Sequence, residues 1–245
     1  MTTFDVLAGT LTGVAGTRPP LVLLHGLTFD RRQWGPLLDE LPGRQALALD
    51  LPGHGESPQP PDHSRATLAE LVHRAVTAAG LDTPVVVGHS AGGVLATAYA
   101  ARYPAREVFN LDQPLVLGAF GDLLHRVEPV LRGPGWRDVW DRLLGGMGIE
   151  ALPAGARDLV ESCVPRQDQL LGYWDEILRH PNAVVDATSR DELATVLGRG
   201  IGYHFVTSDP GPQEWLPPEA TITVLPGGHF PHLAHPKELA ALLAR

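Results

Sequence analysis

Short, uninterrupted apolar runs alternate along the first half of the chain with longer stretches in which apolar residues return every three or four positions. The runs are Leu21-Val22-Leu23-Leu24, residues 45–50, Val85-Val86-Val87 and residues 107–111. Brief and rich in Val and Leu, they read as strands buried on both faces, as in a parallel sheet. Helical patterns lie between them at 31–41 and 67–79. In the second, Leu68, Leu71, Val72, Ala75, Val76 and Ala79 share one helical face and Gly80 stops the turn. The first twenty residues carry weaker strand signals broken by Gly9, Gly13 and Gly16, which predicts an antiparallel hairpin leading into the sheet.

The rhythm then changes. From Gln113 to about Arg199 the pattern predicts only helices, at 120–131, 136–144, 156–163, 167–179 and 190–197. Strands resume at 202–207 and 221–225, and a terminal helix spans 236–243. The expected organisation is an α/β core from residues 1–112 and 200–245, with 113–199 as an inserted helical cap. Such a cap lies over the C-terminal edge of the sheet, where open α/β sheets bind their ligands.

Composition narrows the function classes. A chain of 245 residues with 44% hydrophobic and 19% charged residues can bury one large core. A net charge of −9 offers no basic face for nucleic acid or an anionic membrane. Lys237 is the single lysine among 19 basic residues, a bias that carries no mechanistic meaning. Cys163 is the lone cysteine, which leaves no intramolecular disulfide and no cysteine-rich metal site. Residues 1–5 lack the basic segment and apolar run of a leader, and no stretch reaches membrane-spanning length. The expectation is a cytoplasmic protein, monomeric or homodimeric, whose partner is a small-molecule substrate.

The chemistry enters at Gly88-His89-Ser90-Ala91-Gly92, which follows the apolar run at 85–87 and precedes the small-residue segment Gly93-Val94-Leu95-Ala96-Thr97-Ala98-Tyr99. A G-x-S-x-G string between strand and helix is a nucleophile elbow. The turn is tight enough to strain the serine backbone, and glycine is needed on either side because a side chain there collides with its neighbours. Ser90 is thereby raised above the sheet edge at the start of a helix. A serine hydroxyl needs a base within hydrogen-bond reach. His229 after Gly227-Gly228 is the first candidate, with His232 and His235 as neighbours in sequence. No metal or cofactor is expected: H-E-x-x-H, a P-loop and a dinucleotide fingerprint are missing, and His232-Leu233-Ala234-His235 does not have the histidine spacing of H-E-x-x-H.

Four segments together resemble the α/β-hydrolase fold superfamily, in its serine-nucleophile branch, over essentially the whole chain. They are His25-Gly26-Leu27 with Trp34 downstream, Asp50-Leu51-Pro52-Gly53-His54-Gly55-Glu56-Ser57, the elbow at 88–92, and Gly228-His229-Phe230. The resemblance implies a mostly parallel eight-stranded sheet with helices on both faces. It also implies Ser90 as nucleophile, His229 as base, and the backbone N–H groups of Leu27 and Ala91 as the oxyanion hole. The acid has two candidates. Asp209 follows the first strand after the cap, the commoner place in the superfamily, but Val206 stands where a glycine is usual and Pro210-Gly211-Pro212 follows. Asp112 ends the strand after the elbow helix, the less common place. His25 and His54 are expected to tie their two loops together, with His25 also beside the substrate. Trp136, Trp140, Tyr173 and Trp174 either line an apolar pocket or pack the cap onto the core.

The function this implies is hydrolysis of a carboxylic ester, lactone or thioester of a small to medium apolar substrate through an acyl-enzyme. Carbon–carbon bond hydrolases, perhydrolase-like haloperoxidases, acyltransferases and hydroxynitrile lyases share the same motifs, as does a weakly catalytic ligand-binding receptor. Epoxide hydrolases and haloalkane dehalogenases carry an aspartate where this chain has Ser90.

Overall fold

The computed structural model describes residues 2–244. Eight strands form one sheet: β1 (Thr2–Phe4), β2 (Leu7–Thr12), β3 (Leu21–Leu24), β4 (Ala46–Leu49), β5 (Val85–His89), β6 (Glu107–Leu111), β7 (Gly202–Thr207) and β8 (Thr221–Val224). Their order across the sheet is β1-β2-β4-β3-β5-β6-β7-β8. β2 runs antiparallel to β1 and β4, and every pairing from β4 to β8 is parallel.

The apolar runs are continuous because each strand feeds two cores. In β3, Val22 and Leu24 join one cluster while Leu21 and Leu23 join another. This is the period-two alternation of a strand buried on both faces. The first cluster packs α2 (Arg65–Ala78) and α3 (Ala91–Arg102) against the sheet; the second packs α1 (Gly35–Asp39) and, beyond the short α10 (Pro231–Ala234), α11 (Pro236–Leu243) on the opposite face.

Between β6 and β7 lie α4 (Gly118–Leu131), α5 (Trp136–Gly145), α6 (Ala154–Glu161), α7 (Gln167–Tyr173), α8 (Asp175–Arg179) and α9 (Asn182–Gly198). α4 to α8 contribute to a third cluster with Leu27 and Phe29 from the loop after β3, and with Phe230 and Leu233 near the chain's end. The last turns of α9 pack differently: Leu193 and Val196 are buried in the first cluster beside Leu95 and Tyr99 of α3. The segment 113–199 therefore contains a helix shared with the sheet's own covering layer.

Three local readings shift. The pattern at 31–41 resolves into a 3₁₀ turn, Arg31–Trp34, followed by α1, because Pro36 has no N–H to continue the first turn and instead starts the second. The single helix expected at 167–179 is two, meeting at Trp174, whose backbone leaves the helical region while its indole is buried. α9 begins eight residues before the expected 190. Val184, Val185 and Thr188 are β-branched and hide that first half from a propensity reading. Tertiary bonds hold it: the Leu117 N–H donates to Asp186 and the Asn182 amide donates to Asp122. Among the described residues no helix is long and apolar enough to cross a membrane.

Candidate active site

β5 runs straight into α3, and Ser90 takes the turn at φ 53°, ψ −124°, a region that L-residues rarely adopt. The turn is possible because its flanks carry no side chains. A Cβ on Gly88 would overlap the Gly92 carbonyl, and one on Gly92 would overlap the Leu24 carbonyl of β3. Ser90 is thus raised at the N-terminus of α3, where the helix dipole favours developing negative charge.

Asp112 follows β6 in a second positive-φ position, φ 55°. Its Oδ2 pairs with His229 Nδ1 at 3.0 Å. Its Oδ1 accepts the Ser208 N–H and the Thr207 hydroxyl, both at 2.9 Å. Burial alone would push the Asp112 carboxyl up. The His229 contact, the Ser208 N–H and the Thr207 hydroxyl outweigh it and hold the carboxyl below the usual carboxylate range. Asp209 is turned elsewhere: it is exposed, and its Oδ1 accepts the Gly211 N–H at 2.8 Å within its own turn. The strand register explains the outcome. Leu111 pairs with Val206, so Asp112 stands abreast of Thr207 and its carboxylate occupies the space at the end of β7. Thr207 and Ser208 carry no motif of their own and were not among the sequence candidates.

The loop bearing His229 is held from two sides. Its N–H donates to the Met147 carbonyl of the helical segment at 3.0 Å. Its carbonyl accepts His89 Nε2–H at 2.7 Å, which ties the residue before the nucleophile to the backbone of the histidine. His229 Nε2 is unclaimed by any protein group among the described residues. The rival histidines are placed otherwise. His232 is fully buried against Trp34 and His89, and His235 lies beside Glu238 at the start of α11.

His25 and His54 clip the loops after β3 and β4 reciprocally. His25 Nε2 accepts the Leu51 N–H and His54 Nε2 accepts the Thr28 N–H, each at 3.0 Å. Their Nδ1–H groups donate to the carbonyls of Gly26 and Pro52. His25 is fully buried and does not reach the cavity described next, which corrects its placement beside substrate: both ring nitrogens are spent on the backbone. The clip presents Leu27 to the cavity, and the Leu27 and Ala91 N–H groups have no protein acceptor among the described residues.

Ser90, Asp112, His229, Leu27 and Ala91 all line one cavity of about 760 Å³. Its walls are mainly apolar, with Phe29, Phe120, Trp140, Met147 and Trp174 among them. Trp136 is not in the wall, which corrects its placement there: it opens α5 one turn before Trp140, and its indole is half-buried against the third core cluster. The cavity size falls within the range of small-molecule sites.

Four of the buried histidines, His25, His54, His89 and His232, have pKa values lowered chiefly by burial, those of His54 and His232 to about 3 from an ordinary 6.5. The unfolded chain takes up these protons near 6.5 and the folded chain only in much stronger acid, so acid favours unfolding. Stability is expected to decline below about pH 6.5, by roughly 1.4 kcal/mol per pH unit for each ring that stays neutral. Thermal melts between pH 7.5 and 4.5 check this. A melting temperature that is flat across that window would mean the rings are protonated in the folded protein.

Comparison with known proteins agrees with the architecture. The model of the alpha/beta hydrolase family matches residues 21–242. A probable alcohol acetyltransferase of Saccharomyces cerevisiae is 36% identical over 93 residues, covering 36% of this chain and 27% of the relative. The chain thus spans about a quarter of that relative's length. Among solved structures, a protein described as recognising and cleaving the ring of the Pseudomonas quinolone signal superposes with a TM-score of 0.80 at 21% identity, over 97% of this chain and 96% of its own. The enol-lactonase from Burkholderia xenovorans LB400 superposes with a TM-score of 0.73 at 18% identity, over 97% and 95%. At such identities the overlays speak for the fold alone. The family model, running from the first central parallel strand into the last helix, speaks for descent: the chain belongs to the alpha/beta hydrolase family.

Proposed function

We propose that this chain is a serine hydrolase that cleaves a carboxylic ester, lactone or thioester of a small to medium apolar substrate. The observation that carries the reading is the His229–Asp112 pair, aimed from the ends of two strands into the apolar cavity that Ser90 also lines. In this reading Asp112 accepts the Nδ1–H of His229 and so fixes the tautomer that leaves Nε2 free as a base. Ser90 Oγ attacks the substrate carbonyl as His229 Nε2 takes its proton. The tetrahedral oxyanion receives the N–H groups of Leu27 and Ala91, each donor worth roughly 10²–10³ in rate. The imidazolium, stabilised by Asp112, then protonates the leaving alcohol or thiol, and water deprotonated by the same ring releases the acid.

Trp140 and Trp174, with Phe29 and Phe120, form the apolar surround for the acyl or alcohol part. We treat residues 113–199 as the lid that supplies most of this wall. The ring-cleaving and enol-lactone neighbours are compatible with cyclic substrates. The acetyltransferase relative favours a second reading, in which an alcohol rather than water discharges the acyl group.

The test combines a fluorophosphonate probe with p-nitrophenyl esters. One label per chain on Ser90 together with multiple turnovers of p-nitrophenyl butyrate is the expected result. Labelling without turnover would point to a ligand-binding protein on the same fold, and neither would overturn the proposal. Adding a primary alcohol separates the two readings: ester product accumulating faster than free acid favours acyl transfer.

A further inference from the structure

The opposite edge of the sheet, where the parallel strands begin, carries a second cavity of about 620 Å³. Arg44, in the turn before β4, lines it and is only 5% exposed. Its Nε and Nη1 have no hydrogen-bond partner among the described residues. That is an expensive arrangement. Guanidinium nitrogens taken out of water without acceptors are unfavourable, and the group cannot escape by losing its proton at neutral pH. Arg18 and Arg106 line the same cavity and are exposed, and Arg18 is near enough for its charge to act on Arg44. Burial and the charge of Arg18 both pull the Arg44 pKa down, while Glu107 acts in the opposite direction.

Two carboxylates, Asp82 and Glu107, also border the cavity, but neither lies within hydrogen-bond distance of Arg44. Glu107 is instead taken by His204 Nε2 at 3.0 Å. Three guanidiniums against two carboxylates leave the lining net positive among the described residues. The rest of the lining mixes apolar residues, Pro20, Val85, Phe109 and Leu243 among them, with Thr17 and Thr83.

We infer that this recess is a binding site for a small organic oxyanion, a phosphate ester or carboxylate, with its charged oxygens on Arg44, Arg18 and Arg106 and its body against Phe109. A planar guanidinium meets such a group with two parallel N–H bonds. The site is separate from the Ser90 cavity. β6 runs from Glu107 at this edge to Leu111, the neighbour of Asp112, at the other, a span of roughly 13 Å at about 3.3 Å per residue. Because it stands on Arg44 and not on Ser90, it holds or fails independently of the hydrolase reading.

Calorimetric titration at fixed ionic strength tests it, with phenyl phosphate and benzoate as probes and chloride as the reference. The wild type is expected to bind one equivalent of at least one probe. Tighter phenyl phosphate assigns a phosphate ester; tighter benzoate assigns a carboxylate. Arg44→Met is expected to weaken binding at least tenfold, and to melt at the same or a higher temperature than wild type in chloride, because an uncompensated buried charge is gone. Arg106→Gln, at the exposed rim, is expected to weaken binding severalfold with an unchanged melt, and it carries the test if Arg44→Met does not fold. p-Nitrophenyl butyrate turnover in chloride is expected to be the same in both variants. No binding beyond chloride, full binding by Arg44→Met or Arg106→Gln, or competition of the probe with the ester would each overturn the assignment.

Discussion

Ser90→Ala is expected to lower kcat for p-nitrophenyl butyrate by about 10⁶-fold while leaving the fold intact. The size follows from the way a nucleophile and its base act as one unit, so that removing either forfeits nearly all their shared effect. The intact fold follows from the local geometry. Alanine keeps the same Cβ in the strained φ 53° position, and Ser90 makes no side-chain cap bond to α3 that would be lost. The variant also loses fluorophosphonate labelling while keeping the anion site at the far sheet edge. Residual turnover within tenfold of wild type would remove Ser90 from the mechanism.

Asp112→Asn is expected to cost about 10⁴-fold in kcat with KM little changed, whereas Asp209→Asn stays close to wild type. The loss comes from the tautomer. An amide that donates to His229 Nδ1 leaves the proton on Nε2, the nitrogen that has to accept from Ser90. Measuring kcat for the two variants side by side, after matching their circular dichroism, checks the assignment. Collapse of Asp209→Asn alone would reverse it. Stability supplies a second readout for Asp112. Its carboxyl titrates lower in the folded chain than in the unfolded one, so its contribution is present above about pH 4 and is lost as acid protonates it. Asp112→Asn is therefore expected to be less stable than wild type at neutral pH, with the difference narrowing in acid.

Both expectations show how unevenly the site was written into the sequence. The elbow was legible because each of its requirements is local: glycine at 88 and 92, a strand before and a helix after all fall within one short stretch. The strands were legible for a similar reason, since burial on both faces leaves unbroken apolar runs. The division of the 167–179 helix and the early start of α9 were not, because both depend on what Trp174, Asp186 and Asn182 meet across the fold. His25 and Trp136 were misplaced from the sequence in the same way: one spends its ring on backbone groups of its own and a neighbouring loop, the other packs against the third core cluster instead of the cavity wall.

By itself, then, the order of apolar runs, glycines and polar residues determined an α/β sheet, a serine on its elbow, a histidine after the last strand and a choice of two aspartates. Only the tertiary structure brings one of them, Asp112, to the histidine. Asp112 and Asp209 each follow a strand, and nothing local distinguishes their chemistry. The parallel register of Leu111 with Val206 sets Asp112 beside Thr207, Ser208 and His229 and leaves Asp209 to cap its own turn. The same holds at the opposite edge, where Arg18, Arg44 and Arg106 lie far apart in the chain and share one cavity. A sequence records backbone preferences over a few residues; the meeting of side chains from different strands is fixed only when the sheet closes its register.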